Sequence, residues 1–190
     1  FIYYIASRVS WCYNNLNLLW DSVSMRILGI DPGYAIIGWG VLDYKGNKFS
    51  VVDYGAITTQ AKTPFPLRLQ IIYTGMIGLF DTYHPEVMSM EKLFYNNNAK
   101  TVIDVAQARG VITLSAQQKN VPIFEYTPLQ VKQSVVGYGR AEKKQVQEMT
   151  RLILNLEKIP KPDDTADALA MAICHGHASG SLLGRLGNLR

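Results

Sequence analysis

The apolar positions of the chain first fall into short runs separated by turn residues. A run from Met25 to Asp31 ends at a Pro-Gly pair, and a second apolar segment extends from Ile36 to Asp43. Short apolar runs bounded by turn residues are typical of buried strands. After a turn, Lys48 to Tyr54 predicts a third strand, and Ala56 to Thr59 closes the unit. The pattern therefore predicts a β-meander of four short strands.

Later segments alternate between helical spacing and short apolar runs. Apolar residues three and four positions apart predict an amphipathic helix over Leu67 to Tyr83. We expect this helix to bury the apolar residues Leu67, Ile71, Ile72, Met76 and Leu79. The same criteria predict, in order, a strand over 87–90, a helix over 99–119, a strand over 122–126, and helices over 127–135, 141–156 and 163–178. Alternating strands and helices after a meander favour an α/β or α+β domain with a mixed sheet.

Composition is that of a folded protein with a basic bias. The 190 residues suffice for one domain, and 48% are hydrophobic. A net charge of +4 and a pI near 9.0 suit a polyanionic partner. No apolar stretch is long enough to span a bilayer, so we expect no membrane association. Two cysteines far apart, Cys12 and Cys174, indicate a reducing compartment and a cytoplasmic protein.

The first 24 residues differ from the rest because they are aromatic and carry only two charges, Arg8 and Asp21. They lack the features of a secretory signal or an organelle transit peptide. We interpret residues 1–24 as an upstream extension or a sequence added for expression, with a membrane-surface or partner-binding helix as the alternative. The functional domain is predicted to span 25–178, and 179–190 is predicted to be a flexible tail.

Two predicted strands end in a carboxylate, Asp31 and Glu91. Asp31 precedes a Pro-Gly turn, where a short acid could simply bond its own turn. The alternative is a metal-binding or catalytic role, because ligands gather beyond the carboxyl ends of strands in such sheets. The last helix adds Asp164 and Asp167, which project from one face near its start. An N-terminal acid can be a helix cap, but Asp167 lies too far along the helix for that explanation.

These acids could form a metal site if the fold brought them together. Four converging carboxylates would repel one another by several kcal/mol unless cations neutralised them. Mg²⁺ favours carboxylate and phosphate oxygens, and two such ions about 4 Å apart would support the displacement at a phosphodiester. Composition alone leaves other groupings of the 15 acidic residues open.

Five motifs, in this order, resemble the RuvC family of Holliday junction endonucleases. They are Gly29-Ile-Asp31-Pro-Gly33, Met90-Glu91-Lys-Leu-Phe94 with Asn97-Asn98-Ala99, Gln107-Ala-Arg-Gly110, Gln130-Val-Lys132-Gln with Gly139-Arg-Ala-Glu-Lys143, and Asp164-Thr-Ala-Asp167-Ala-Leu-Ala-Met-Ala-Ile173. The resemblance covers almost all of the chain from Met25 to about Ala178.

The resemblance implies an RNase H-like α/β fold and a homodimer. It implies Mg²⁺-dependent, paired and symmetric cleavage of four-way junction DNA, with two ions in each active site and Mn²⁺ as a substitute, in recombination and repair. It also implies association with the RuvA–RuvB branch-migration complex. The catalytic and metal-binding acids would be Asp31, Glu91, Asp164 and Asp167. Of the doublet Asp163-Asp164 we choose Asp164, because the family's last two acids are three apart, and we expect Asp163 to cap the helix.

The resemblance also assigns residues to the DNA. Lys132 and Lys143 match positions near the scissile phosphate, where an ammonium can offset developing charge. Phe94 matches a family position that contacts DNA, and an aromatic there could stack on an unpaired base. Further candidates for phosphate contact are Asn97, Asn98, Lys100, Arg140 and Lys144. The helix over 99–119 would form the dimer interface, since a two-fold junction calls for a two-fold enzyme.

Two other functions fit parts of the pattern. A sugar kinase or actin-like ATPase also ends its first strand in Gly-Ile-Asp before a glycine turn. Such a protein would need a second phosphate-binding hairpin and an adenosine motif, and the sequence has neither. A non-catalytic DNA-binding protein or scaffold of the same fold is the other alternative, but it should have lost acids that are all present here.

Overall fold

The computed structural model describes residues 24–92 and 99–180, which form one mixed five-stranded sheet flanked by five helices. The strands lie in the order β3-β2-β1-β4-β5. Their bounds are β1 Met25–Asp31, β2 Ile36–Lys45, β3 Lys48–Thr58, β4 Val87–Glu91 and β5 Ile123–Tyr126. The prediction of an α/β domain with a mixed sheet is confirmed.

The first three strands form an antiparallel meander, with β2 between β1 and β3. The predicted break at Gly55 is wrong, because β3 continues through it to Thr58. Gly55 stays in the ladder opposite Trp39, whose indole lies 2.9 Å from the position that a Cβ would take. The aromatic ring fills the space above the glycine, so the strand needs no turn there. The meander therefore has three strands instead of four.

The remaining strands are parallel and alternate with helices. β1 pairs with β4, and β4 pairs with β5, so the carboxyl ends of these three strands lie at one edge of the sheet. The helices are α1 Phe65–Tyr83, α2 Ala99–Gln118, α3 Pro128–Val136, α4 Lys143–Ile153 and α5 Asp163–Gly180. Thr127 caps the start of α3 and forms a capping box with Gln130.

Helices cover both faces of the sheet. One core packs α1 and α2 against the side chains of Leu28 and Ile30. The opposite core packs α3, α4 and α5 against Ile27 and Leu42. Because side chains alternate along a strand, each residue of β1 faces one of these two helix layers. This alternation determines on which side the terminal residue of β1 emerges.

Helix α5 lies directly on the strands because glycines face it. A Cβ on Gly29 would lie 2.1 Å from the Ala168 carbonyl oxygen, and a Cβ on Gly38 would lie 2.0 Å from the Asp164 carbonyl oxygen. No real side chain tolerates such distances to a backbone atom. The glycines of β1 and β2 therefore permit an approach that any larger residue would prevent, and they bring the first turn of α5 close to the sheet.

Helix α1 exposes two apolar residues that the sequence pattern assigned to the core. Ile72, Met76 and Leu79 of α1 are buried as predicted, whereas Leu67 and Ile71 are 46% and 37% exposed. The predicted apolar face was wider than the contact that the sheet and α2 offer. In the part of the chain that the structure describes, no helix combines the length and apolar character needed to cross a bilayer.

We expect Gly38→Ala to destabilise the fold, because the new methyl group would press on the backbone of Asp164 and force α5 away from β2. Overpacking of this kind costs about 1–3 kcal/mol or more. Gly78→Ala is the matched control, since no atom lies within 4 Å of its Cβ position in α1. That substitution should raise stability by about 0.5–1 kcal/mol through the helix propensity of alanine. Urea denaturation followed by circular dichroism measures both, and equal stabilities of the two variants would contradict the role of close packing.

Candidate active site

Asp31 is the last residue of β1 and faces the layer of α5. It shares a face of the sheet with Gly29 and Ile27, since residues two apart on a strand point the same way. Ile27 lies in the core beneath α5, and Gly29 lies directly against that helix. The carboxylate of Asp31 therefore emerges on the α5 side, at the edge where the parallel strands end.

Glu91 reaches the same edge on the same face. β4 runs parallel to β1, with Val87 opposite Ile27 and Ser89 opposite Gly29. Val87 belongs to the core beneath α5, so Glu91, four residues on, has the same orientation. The parallel pairing thus places a second carboxylate beside Asp31. An antiparallel partner would have ended at the opposite edge.

The first turn of α5 supplies the other two acids. Gly38 pairs with Asp31 across the β1–β2 ladder, and the backbone of Asp164 lies on Gly38. Asp167 follows one turn later on the same side of the helix. The Thr165 hydroxyl fixes this turn further, because it donates to the Gly55 carbonyl at 3.1 Å. The structure therefore brings together all four acids named from the sequence, which come from three separate elements.

Burial and mutual repulsion make this arrangement electrostatically costly. Burial, followed by the charges of Asp167, Asp164 and Glu91, raises the pKa of Asp31 to about 7. Burial and the charge of Asp167 also raise the pKa of Glu91, while Arg109 and Lys143 oppose that rise. Converging carboxylates with raised pKa values are typical of catalytic and metal-binding sites.

Lys143, the first residue of α4, is the cation in contact with the acids. Its ammonium lies 2.7 Å from Oδ2 of Asp167, and this contact raises the pKa of the lysine. Glu142 caps α4 in a capping box with Gln145, which fixes the helix start that presents Lys143. The lysine side chain is 58% exposed, so it can move toward a ligand at the cleft.

The four carboxylates fit a divalent cation by the chemistry of their donors, which are the hard oxygens that Mg²⁺ prefers. As placed, however, no three Asp, Glu, His or Cys side chains of the described residues form a group ready to hold an ion. Burial and, after it, the charges of Asp167, Asp164 and Glu91 disfavour the ionised form of Asp31, and a bound cation would favour that form. By the chemistry of their oxygens, Asp31, Glu91, Asp164 and Asp167 are the residues that could hold a metal.

The other predicted residues lie outside the group of four acids. Lys132 is half-buried on α3 and, within the described residues, makes no hydrogen bond or ion pair. Arg140 is exposed in the link before α4, and Lys144 is exposed beside Lys143. Phe94, Asn97 and Asn98 lie outside the described residues, as does the side chain of Lys100. The leader and residues 181–190 lie outside them as well.

One prediction at the helix start was wrong. Asp163 does not precede α5 as its cap but lies inside the first turn, where its carboxylate pairs with Lys161. This contact lowers the pKa of Asp163. The doublet therefore divides between Asp163, which pairs locally with a lysine, and Asp164, which contributes to the field at Asp31. The Lys-Pro-Asp spacing was the only signal in the sequence for this local pair.

Sequence reasoning also missed residues that shape the site. Gly38 supports Asp164, and its signal was the Gly-Trp-Gly alternation on β2, which sets glycines opposite an alanine-rich helix. Arg109 donates to the Glu91 carbonyl from α2. Its motif Gln107-Ala-Arg-Gly110 carried the family resemblance, but the arginine itself was given no role. Lys161 was also not assigned to the site, and with Lys143 and Lys144 it lines a cleft of about 550 Å³ between α4 and the start of α5.

Comparison with known proteins identifies similar sequences along nearly all of the described chain. The family model for the crossover junction endodeoxyribonuclease RuvC matches residues 27–175. The chain is 57% identical over 163 residues to the protein of that name from Caldanaerobacter subterraneus, which covers 86% of this chain and 98% of the relative. A relative of the same name from Ruminiclostridium cellulolyticum is 59% identical over 162 residues, covering 84% and 98%.

Solved structures show the same fold. RuvC of Thermus thermophilus, solved in complex with a Holliday junction substrate, superposes with a TM-score of 0.76 at 29% identity, covering 86% of this chain and 97% of that one. The yeast mitochondrial Holliday junction resolvase Ydc2 superposes with a TM-score of 0.61 at 15% identity, covering 80% and 78%, which is a similarity of fold alone. The expectation of an RNase H-like fold is confirmed.

Asp31→Asn should stabilise the protein at alkaline pH when a chelator removes divalent cations. The folded pKa of Asp31, about 7, exceeds its ordinary value of 3.8, so the folded state binds the extra proton and stability falls as pH rises between these values. Asparagine removes this loss. The gain in unfolding free energy should reach about 2–4 kcal/mol at pH 8 and shrink toward zero as pH falls to 4.

Thermal and urea unfolding across this pH range measure the effect. Asp81→Asn serves as the control, because Asp81 is an exposed carboxylate of α1 that pairs with Lys119 on the surface. Its effect should stay within about 0.5 kcal/mol at every pH. A gain for Asp31→Asn that is the same at pH 4 and pH 8 would show that charge repulsion is not its cause.

Proposed function

The chain belongs to the RuvC family of crossover junction endodeoxyribonucleases, and we propose that it resolves Holliday junctions by paired, symmetric, Mg²⁺-dependent hydrolysis of phosphodiester bonds near the crossover. It is a DNA endonuclease with an RNase H-like fold. Four-way junction DNA is its substrate in this proposal, as it is for the Thermus relative in the solved complex. Its cellular role would be in recombination and DNA repair.

One observation carries the proposal, namely the convergence of four carboxylates and one lysine where β1, β4 and α5 meet. A protein that only bound DNA would gain nothing from four acids that repel the phosphate backbone and one another. The electrostatic cost of bringing the acids together is explained if they hold cations that act on a phosphate. A nucleotide-binding alternative shares the Gly-Ile-Asp end of the first strand, but the given sequence shows neither the second phosphate-binding hairpin nor the adenosine motif that it would need.

The four acids would bind the metal, and two lysines would act on the phosphate. Asp31, Glu91, Asp164 and Asp167 would hold two Mg²⁺ ions, or Mn²⁺ in their place. When bound, these ions would supply positive charge that activates water and stabilises the leaving oxygen. Lys143, released from Asp167, would offset the charge that develops on the scissile phosphate, and Lys132 would assist from α3.

Other side chains would hold the junction. Phe94 would stack on an unpaired base near the crossover. Phosphate contacts that position the DNA without reading its sequence are assigned to Asn97, Asn98, Lys100, Arg140 and Lys144. Arg140 and Lys144 are exposed on either side of the α4 start, as such contacts require. The basic charge of the whole chain suits this partner.

A homodimer would place two active sites on the two-fold symmetric junction. The outer face of α2 supports this proposal, because Ile103 and Leu114 are 66% and 54% exposed and lie three helical turns apart on the same side. Between them the small residues Ala106 and Gly110 are also exposed, so a second helix could approach closely. Association with the RuvA–RuvB complex and a cytoplasmic location complete the proposal.

Cleavage of a synthetic four-way junction tests the function directly. Wild-type protein should make symmetric nicks when Mg²⁺ is present and none with a chelator. Asp31→Asn and Glu91→Gln should each lower cleavage at least about 1,000-fold, because each removes a carboxylate that holds the cations, while junction binding should stay within a few-fold of the wild type.

Asp81→Asn, on the opposite helix layer, is the control and should cut normally. Equal cleavage of linear duplex and four-way junction would contradict resolution. Parallel loss of binding and cleavage in the Asp31 and Glu91 variants would show that these acids support the fold instead of the chemistry.

Ile103→Glu should dissociate the dimer, since two-fold symmetry places the new charge in the interface twice. The dissociation constant should rise about 100-fold or more, and sedimentation at several concentrations measures it. Leu152→Glu, at an exposed leucine of α4, is the matched control and should leave the dimer intact. If Ile103→Glu leaves the oligomeric state unchanged, the outer face of α2 is not the interface.

A further inference from the structure

Arg109 is a charged side chain in the layer between α2 and the sheet. It is only 8% exposed and lies between the fully buried residues Ala108 and Ile112 along the helix. A buried guanidinium is costly unless its charge and its donors are satisfied. Its contacts therefore indicate what the position requires.

The guanidinium contacts the ends of two neighbouring strands. Nη1 donates to the backbone carbonyl oxygen of Glu91 at 2.5 Å, and Nη2 pairs with the carboxylate of Glu125. Glu125 lies opposite Met90 in the β4–β5 ladder, and Met90 faces the α1–α2 layer. Glu125 therefore approaches Arg109 from the face opposite the four acids. Arg109 is held by Glu125 while it contacts the backbone of Glu91.

This contact acts where the strand ends. Glu91 is the last residue of β4, and the next amide, that of Lys92, donates to the Tyr126 carbonyl at 2.8 Å. The backbone on both sides of this peptide link is thus fixed, by Arg109 from one helix and by β5 from the neighbouring strand. Because the direction of a side chain follows from its backbone, a shift at this carbonyl would turn the Glu91 carboxylate away from Asp31.

We propose that Arg109 is a positioning residue that fixes the Glu91 carboxylate in the active site by holding its backbone carbonyl from α2. The inference rests on the proposed function of Glu91 and extends it. The same helix carries the exposed residues Ile103 and Leu114 on its outer face. Arg109 therefore links the helix assigned to the dimer interface to an acid of the active site.

The experiment combines three variants with two readouts. Arg109→Met removes both donors and keeps the volume, Arg109→Lys keeps the charge but can satisfy only one partner well, and Glu125→Gln removes the charge that holds the guanidinium. Single-turnover cleavage at saturating enzyme gives the chemical rate separately from junction affinity. Calorimetric titration with Mn²⁺ in the absence of DNA measures the acids without relying on activity.

Arg109→Met should lower the single-turnover rate and the Mn²⁺ affinity about 10–100-fold, as loss of a residue that orients a ligand usually does, with junction affinity within about three-fold of the wild type. Arg109→Lys and Glu125→Gln should lie between Arg109→Met and the wild type. Arg151→Met is the matched control, because Arg151 likewise donates to a backbone carbonyl and pairs with a glutamate, but on α4 away from the acids. It should change neither readout by more than about two-fold.

A double variant separates positioning from a general effect on the fold. If Arg109 acts through Glu91, Arg109→Met should cost no further Mn²⁺ affinity once Glu91→Gln is present. Additive losses, or an unchanged rate in Arg109→Met, would overturn the proposal. If Arg109→Met fails to fold, the same cycle with Glu125→Gln gives the answer. Should wild-type protein fail to cut junctions, the proposed function fails, while the Mn²⁺ cycle still decides whether Arg109 positions Glu91.

Discussion

The repulsion among four carboxylates at the carboxyl edge of β1 and β4 is the constraint that the rest of the structure has to balance. Burial and the neighbouring acids raise the pKa of Asp31 to about 7, which means that its ionised form is disfavoured in the fold. A raised pKa of this size corresponds to a few kcal/mol, a substantial part of the net stability of a small domain. The fold must therefore hold the acids in place by packing remote from them.

Helix α5 supplies that packing along its full length. Leu169 and Ile173 are fully buried against the sheet, and burying each such side chain contributes about 1.5–3 kcal/mol. The glycines at positions 29 and 38 make the same helix approach closely enough for Asp164 and Asp167 to reach Asp31. Hydrophobic burial and the convergence of acids thus arise from a single helix–sheet contact.

Much of this arrangement could be predicted from the sequence, and the failures have identifiable physical causes. The local sequence was enough to predict that Asp31 and Glu91 end strands. It was also enough to predict the spacing of the acids on α5. The burial of Leu67 and Ile71 was predicted wrongly. The apolar spacing shows which residues share a helix face, but the packing of neighbouring elements determines which of them are buried. Arg109 was missed because an arginine is assumed to be exposed, and only the pairing of β4 with β5 reveals its partners.

The ion pair between Lys143 and Asp167 is too weak to balance the charge of the four acids, which leaves a divalent cation as the better counter-charge. The lysine side chain is 58% exposed, and pairs of that kind contribute about 0–1 kcal/mol because water and salt screen them. One ammonium carries a single positive charge, so it leaves most of the negative charge of four carboxylates unbalanced. A weakly held lysine is also free to exchange Asp167 for another anion. Because the Lys143–Asp167 ion pair is weak, Asp167 could exchange the lysine for a cation and Lys143 could then bind a phosphate.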